Sequence, residues 1–242
     1  MRKFVWIGKI LYSLSHLFDQ GPISPHDFGQ VIERYASLPL RHQLQVWGRL
    51  ICLQPILKAI DQHIPVTEGT IVDLGCGYGL VSLLVASCRN QAILGIEASP
   101  AQMAMAQRAG RGLQRVTFQC GNIAQMLIPP SAAILLIDVL YLFSDETQQQ
   151  ILTNCGQALI PNGVLLIKDN TTVPWWKYRY AHFEESIKLL SGAYGGTTLM
   201  RPNYRTPDSW RQRITQAKLN IREERFIESI APYPGVIYIC QK

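Results

Sequence analysis

The chain of 242 residues has no cysteine pair at CxxC spacing, no internal repeat and no low-complexity tract. It also lacks any apolar run of the ~18 residues that a membrane span needs. Its six cysteines, Cys52, Cys76, Cys88, Cys120, Cys155 and Cys240, are scattered through apolar segments. That scatter excludes a zinc site or disulfide framework and predicts buried free thiols in a reducing cytosol. Charge is sparse, 17% of residues against 48% hydrophobic, which is ordinary for one large globular domain. The excess of +6 and the pI near 9.1 invite a nucleic-acid partner. The basic residues are dispersed with acids among them, however, and no recognition motif accompanies them, so RNA or DNA is not favoured. Two glycine signatures are missing as well. There is no Gly-Lys-Ser/Thr ending for a phosphate loop and no Gly-x-Gly-x-x-Gly for a dinucleotide.

What is present is Ile71 to Leu80, IVDLGCGYGL. Ile71, Val72 and Leu74 make a short buried strand that runs into Gly75, Gly77 and Gly79, and the apolar Val81 to Cys88 predicts a helix directly after them. Glycine lets such a turn take positive φ and lets a ligand lie against backbone N–H groups at the helix start. Asp73 stands two residues before the first glycine; an acid there would repel a pyrophosphate and suit a cationic ammonium. This acid-x-Gly-x-Gly-x-Gly pattern resembles motif I of the class I S-adenosylmethionine-dependent methyltransferases.

The resemblance implies a Rossmann-like α/β fold: a mostly parallel seven-stranded sheet with a C-terminal antiparallel hairpin and helices on both faces. S-Adenosylmethionine would be the cofactor, held by Asp73, Leu74, Gly75, Cys76, Gly77 and Gly79. A second strand, Ala92 to Ile96, ends at Glu97, close to the ~20-residue offset expected of a ribose-binding acid. Ala98 follows it, and Ser99 and Pro100 read as cap and first turn of the next helix. After a third strand, Val116 to Cys120, Asn122 stands where many family members carry an acid that accepts from the adenine amino group. Its amide oxygen can accept the same bond, and the resemblance has Ile123 pack on the ring. An Asn chosen for turn geometry is the competing reading. Asp138 lies near the end of a fourth strand, Ala132 to Val139, where open α/β sheets bind ligands; a structural acid capping that turn explains it equally well. The NPPY-type motif of exocyclic-amine methylation is missing.

A helix over Asp145 to Ile160 leads to a fifth strand, Val164 to Ile167, with Lys168 and Asp169 at its outlet. The spacing of Asp138 and Asp169 does not make a catechol-type Mg²⁺ site, and no metal is expected. About 45 residues then separate this strand from the next, including Trp175, Trp176, Tyr178, Tyr180, His182, Phe183, Tyr194, Gly195 and Gly196. Aromatics there suit an apolar or aromatic acceptor, although packing on the sheet explains most of them too. Thr206 and Pro207 open a last helix, and Arg222 to Ser229 with Gly235 to Cys240 read as the terminal hairpin.

Residues 1–63 read as a helical cap or lid, and 64–242 as the cofactor-binding domain with an insertion at about 170–205. Phe4, Ile7, Leu11, Leu14 and Phe18 form an amphipathic stripe that would lie on the core, cover the substrate or touch a membrane surface. Pro25 to about His63 predicts two helices broken near Ser37 to Leu40, with Tyr35, Arg41 and His42 as candidate substrate contacts. The sulfonium methyl is already activated, so a base is needed only if the acceptor loses a proton. His182, Asp169, Tyr141 and His42 are the candidates, none singled out. The function expected is methyl transfer to an apolar small-molecule, lipid-like or polyketide-like acceptor, on O or C, in a cytoplasmic protein. An RNA or protein methyltransferase, or a methyltransferase-like binding protein without catalysis, are the alternatives.

Overall fold

The computed structural model describes residues 22–39, 42–43, 46, 53–65, 69–190, 201–228 and 232–242. The N-terminal stripe, Arg41 and the Tyr194–Gly196 stretch lie outside them. Seven strands form one sheet in the order β3-β2-β1-β4-β5-β7-β6. They are β1 (Thr70–Leu74), β2 (Ala92–Glu97), β3 (Val116–Cys120), β4 (Ser131–Ile137), β5 (Leu159–Asn170), β6 (Asn220–Phe226) and β7 (Gly235–Gln241). The first five run parallel, and β7 is antiparallel to both β5 and β6. The chain order reverses between β1 and β4, which places a ligand-binding crevice at their C-terminal ends.

The helices are α1 (Pro25–Glu33), α2 (Leu53–His63), α3 (Leu80–Cys88), α4 (Pro100–Gly110), α5 (Asp145–Ala158), α6 (Trp175–Leu190) and α7 (Pro207–Gln216). Alternation along the strands assigns them to faces. Ile71, Ile93, Leu135, Val164 and Leu166 point to the side covered by α1 to α4. Val72, Ile96, Leu136, Leu165 and Ile167 point to α5 and α7. Because both faces are covered, β4 is buried at every residue, as a central parallel strand must be.

Local chemistry sets most helix starts. Ser24, Ser99, Ser144 and Thr206 each accept a hydrogen bond from a first-turn N–H, and Pro25, Pro100 and Pro207 supply the preset φ of a first helical residue. Three expectations need adjusting. The fifth strand is longer than Val164 to Ile167: Asn162 takes φ 62°, so Leu159 can pair with Ser131 before the ladder resumes at Ala133 and Val164. At the other end Lys168 and Asp169 pair with Ile237 and Val236 of β7, so they lie inside β5, not beyond it. Thiol burial is also incomplete. All five described cysteines are free, but Cys88 and Cys120 are exposed, the first at the end of α3 and the second on the edge strand β3.

Candidate active site

The loop after β1 is held by backbone. The N–H groups of Gly75 and Cys76 both donate to the Ile96 carbonyl, at 2.8 and 3.0 Å. They are thus committed to the sheet and not available to a ligand. Gly75 takes φ 74° and Gly79 φ 75°, and a Cβ on either would meet Val139 Cγ2 at 2.4 Å or the Phe118 ring at 2.5 Å. Those two glycines are required by conformation and by packing together. Gly77, at φ 57°, donates its N–H to Glu97 Oε2 at 2.9 Å, while Ser99 N–H donates to Glu97 Oε1 at 2.8 Å. The half-buried Glu97 carboxylate is thereby fixed at the end of β2 facing the glycine turn.

Asp73 does something else than expected. It is 2% exposed and accepts from Ser82 Oγ at 2.6 Å, so its carboxylate anchors the first turn of α3 instead of presenting itself to an ammonium group. Gly79, the N-cap of α3, provides no side-chain cap. Asn122 is exposed, and its Oδ1 accepts from Ala124 N–H at 3.0 Å, the turn role weighed against adenine binding. Ile123 is buried in the core and Ala98 is exposed.

Across the reversal point the site is made of side chains. Asp138 stands just past β4 at φ 53°, a left-handed conformation for a non-glycine residue. Its N–H donates to the Lys168 carbonyl at 2.8 Å, and its carboxylate pairs with the buried Lys168 ammonium. Beside them Asp169 is 1% exposed and accepts from the N–H groups of Asn170 at 2.7 Å and Tyr141 at 3.2 Å. Burial, reinforced by the Asp138 charge, pushes its carboxyl up to about 8. Tyr141 donates to Glu185 Oε2 at 3.2 Å, and its ring lies 5.1 Å from that of Tyr204. Tyr178 and His182 of α6 meet Tyr204 edge-on at 6.3 and 6.4 Å. Burial, with Arg201 nearby, holds His182 below the ordinary histidine range, so its ring is neutral at pH 7.

Of the candidate bases, Asp169, Tyr141 and His182 thus come together, whereas His42 does not. His42 Nδ1 lies 2.9 Å from the Tyr78 hydroxyl, on the glycine turn, and Tyr35 donates its hydroxyl to the Tyr78 carbonyl at 3.0 Å. Tyr35 is 1% exposed, which removes it as a substrate contact and makes it a clamp on the loop. Trp175 and Trp176 are 69% and 52% exposed on the outer side of α6, so neither ring packs in the core. Residues not anticipated are Glu185, Tyr204, Asn203, Arg205 and Gln148. Arg205 Nε donates to Gln148 Oε1 at 2.8 Å and its guanidinium pairs with Asp145, while Asn203 N–H donates to the Tyr141 carbonyl at 2.8 Å. No local pattern marks such pairings. Among the described residues no cluster of His, Cys, Asp or Glu could hold a metal ion.

Residues 71–163 match a family model described as a methyltransferase domain. Residues 71–163 are thus a methyltransferase domain, and the sheet that carries them has the class I, Rossmann-like methyltransferase fold. It is 32% identical over 174 residues to trans-aconitate 2-methyltransferase of Methylobacterium nodulans, covering 69% of this chain and 64% of that protein. It is 27% identical over 156 residues to carboxy-S-adenosyl-L-methionine synthase of Shewanella halifaxensis, covering 61% and 62%. The chain thus spans less than two thirds of the length of these curated relatives. Its fold is shared with NcsB1, an O-methyltransferase from neocarzinostatin biosynthesis in complex with S-adenosyl-L-homocysteine and 1,4-dihydroxy-2-naphthoic acid. That likeness has TM-score 0.61 and 20% identity, over 87% of this chain and 61% of that one.

Proposed function

We propose that the chain methylates an apolar small molecule, aromatic or lipid-like, on an oxygen or an activated carbon. The observation that carries this reading is the wall of Tyr141, Tyr178, His182 and Tyr204 beside the Asp138–Lys168 pair, at the ends of β4 and β5. Aromatic rings with polar tips receive a flat acceptor and orient its hydroxyl. S-Adenosylmethionine supplies an electrophilic methyl carbon. For its adenosine, Glu97 presents a charged acceptor to the ribose hydroxyls, and Asn122 and Ile123 border the adenine. The uncapped start of α3 and Asp138 border the methionine end.

The protein's own work is then to position the acceptor and take its proton. Neutral His182 would accept the hydroxyl proton on a ring nitrogen, leaving the acceptor oxygen an electron pair for the methyl group, which would come away from sulfur with the neutral thioether as leaving group. Residues 1–63 act as a cap over this crevice, and 64–242 as the catalytic domain with its insertion at about 170–205.

A transfer assay with labelled cofactor against phenolic and lipid extracts tests the reading. Label should enter the organic phase, and His182→Gln should lower turnover of a phenol at least ~100-fold with cofactor affinity unchanged. Label incorporated only into RNA or protein would replace the acceptor class, and unchanged turnover in His182→Gln would remove the base.

A further inference from the structure

The helix α6 is amphipathic in the wrong sense for a solvated surface. Its inward face holds Lys177, Ala181, Glu185 and Leu189, all buried, with the half-buried Tyr178 and His182 beside them. Its outward face holds Trp176, Tyr180, Phe183, Ile187 and Leu190, exposed by 52%, 47%, 67%, 52% and 65%. Their steps of four, three, four and three residues keep them on one stripe about 21 Å long. Trp175 and Val173 extend it at 69% and 44% exposure. The inversion has a cause: the inner face is spent on the acceptor wall, so the apolar residues of the helix are on the outside. They are not scattered singly, and a contiguous patch of this kind needs an occupant.

We propose that this outward face of α6 docks on an anionic lipid bilayer. Tryptophan and tyrosine at one end and aliphatic side chains along the rest match the interfacial preference of each. The rim carries the complementary charge. Arg179 and Arg201 are exposed and make no ion pair among the described residues. The nearby acids are partly offset: Lys188 bridges Glu184 at 2.8 Å and Glu185 at 2.7 Å, and the Tyr233 hydroxyl donates to Glu184 at 2.6 Å, which leaves one negative charge against the two arginines. The net charge of +6 acts in the same direction. A second copy is the competing occupant, and the exposed arginines beside the stripe favour an anionic surface over another surface of the same positive charge. Docking leaves the inner face of the same helix on the acceptor side, so an apolar acceptor would cross one helix diameter between lipid and site.

Sedimentation of the full chain with vesicles tests this without reference to turnover. One set is phosphatidylcholine alone, the other three parts phosphatidylcholine to one part phosphatidylglycerol. The protein should sediment with the second and much less with the first. Phe183→Ser with Ile187→Ser should cut that partition at least tenfold, while melting temperature and S-adenosylmethionine affinity hold, because the replaced side chains are exposed and support nothing inside the fold. Four results would each overturn the proposal: no sedimentation with either vesicle, equal sedimentation with both, unchanged partition in the double variant, or a double variant that melts well below the parent. The last would mean that the stripe is covered by the chain itself. A dimer that the double variant dissolves, without vesicle binding, would assign the face to a second copy.

Discussion

The two sides of the reversal point are built differently. On the β1–β2–β3 side the contacts are backbone to backbone or acid to backbone: Gly75 and Cys76 to Ile96, Gly77 and Ser99 to Glu97. On the β4–β5–α6 side backbone bonds such as Asp138 N–H to the Lys168 carbonyl are joined by side chain to side chain contacts across long stretches of chain, as with Tyr141 and Glu185, 44 residues apart, or Arg205 and Asp145, 60 apart. A ligand that never changes can be held by backbone geometry, which tolerates little variation. An acceptor is selected by side chains, which can be exchanged without moving the sheet.

The sharpest way to break the cofactor side is Gly77→Val. The position has φ 57°, which a β-branched residue adopts only with strain, and its N–H is the one tied to Glu97. S-Adenosylmethionine affinity should fall at least ~100-fold by calorimetry with the fold retained. An unchanged affinity would mean that the turn is not the cofactor site. Glu97→Ala should cost at least ~10-fold, since a charge-assisted hydrogen bond is worth about 1.5–3 kcal/mol, with Glu97→Gln between the two. Equal affinity in all three proteins would remove Glu97 from the ribose.

This asymmetry also explains what the sequence discloses. Asp73 to Gly79 and Glu97 are legible because turn geometry imposes residue types at fixed short offsets. Their individual roles are less so: nothing in the spacing says that Asp73 turns inward to Ser82. The seven strands and the antiparallel end follow from the resemblance carried by the glycine turn, yet the early start of β5 depends on one left-handed residue, Asn162, that a run of Pro, Asn and Gly reads as a loop. The acceptor wall is invisible beforehand because Tyr204 and Glu185 become neighbours of Tyr141 only through the tertiary fold. For Trp175 and Trp176, the aromatic run in the sequence does not reveal that the helix turns its apolar stripe outward.

The acceptor side can be probed through two carboxylates, the buried Asp169 and the exposed Asp145, whose shifts have opposite signs. Asp169 is raised from 3.8 to about 8, so the folded state keeps a proton that the unfolded state releases. Its favourable contribution is complete below pH ~4 and is lost as pH rises towards 8. Asp145 is lowered from 3.8 to about 2, first by the hydrogen bond from Arg205 and then by that from Asn203. Its contribution is present above pH ~4 and is lost as pH falls towards 2. Asp169→Asn should therefore flatten the decline of melting temperature between pH 5 and 8, and Asp145→Asn the decline below pH 4. A decline between pH 5 and 8 that survives in Asp169→Asn would show that the carboxyl is ionised in the folded protein.

The smallest effect tests whether the cap belongs to the cofactor side. Tyr35 and His42 come from the segment before the sheet, yet both end on Tyr78, between Gly77 and Gly79. Tyr35→Phe removes one buried donor from the Tyr78 carbonyl and keeps the ring, at a cost of about 1 kcal/mol. If the cap only supports the fold, that loss appears as a lower melting temperature in protein with and without cofactor alike. If it holds the turn in its binding geometry, part of the loss falls on the bound state alone. S-Adenosylmethionine affinity should then drop about threefold to tenfold, and KM for the acceptor should stay put. His42→Gln should act on the same carbon frame through the Tyr78 hydroxyl, so Tyr78→Phe should abolish its effect but not that of Tyr35→Phe, which uses the backbone. Melting temperatures that fall while affinity is unchanged in every variant would return Tyr35 and His42 to the core and leave the cofactor turn self-sufficient.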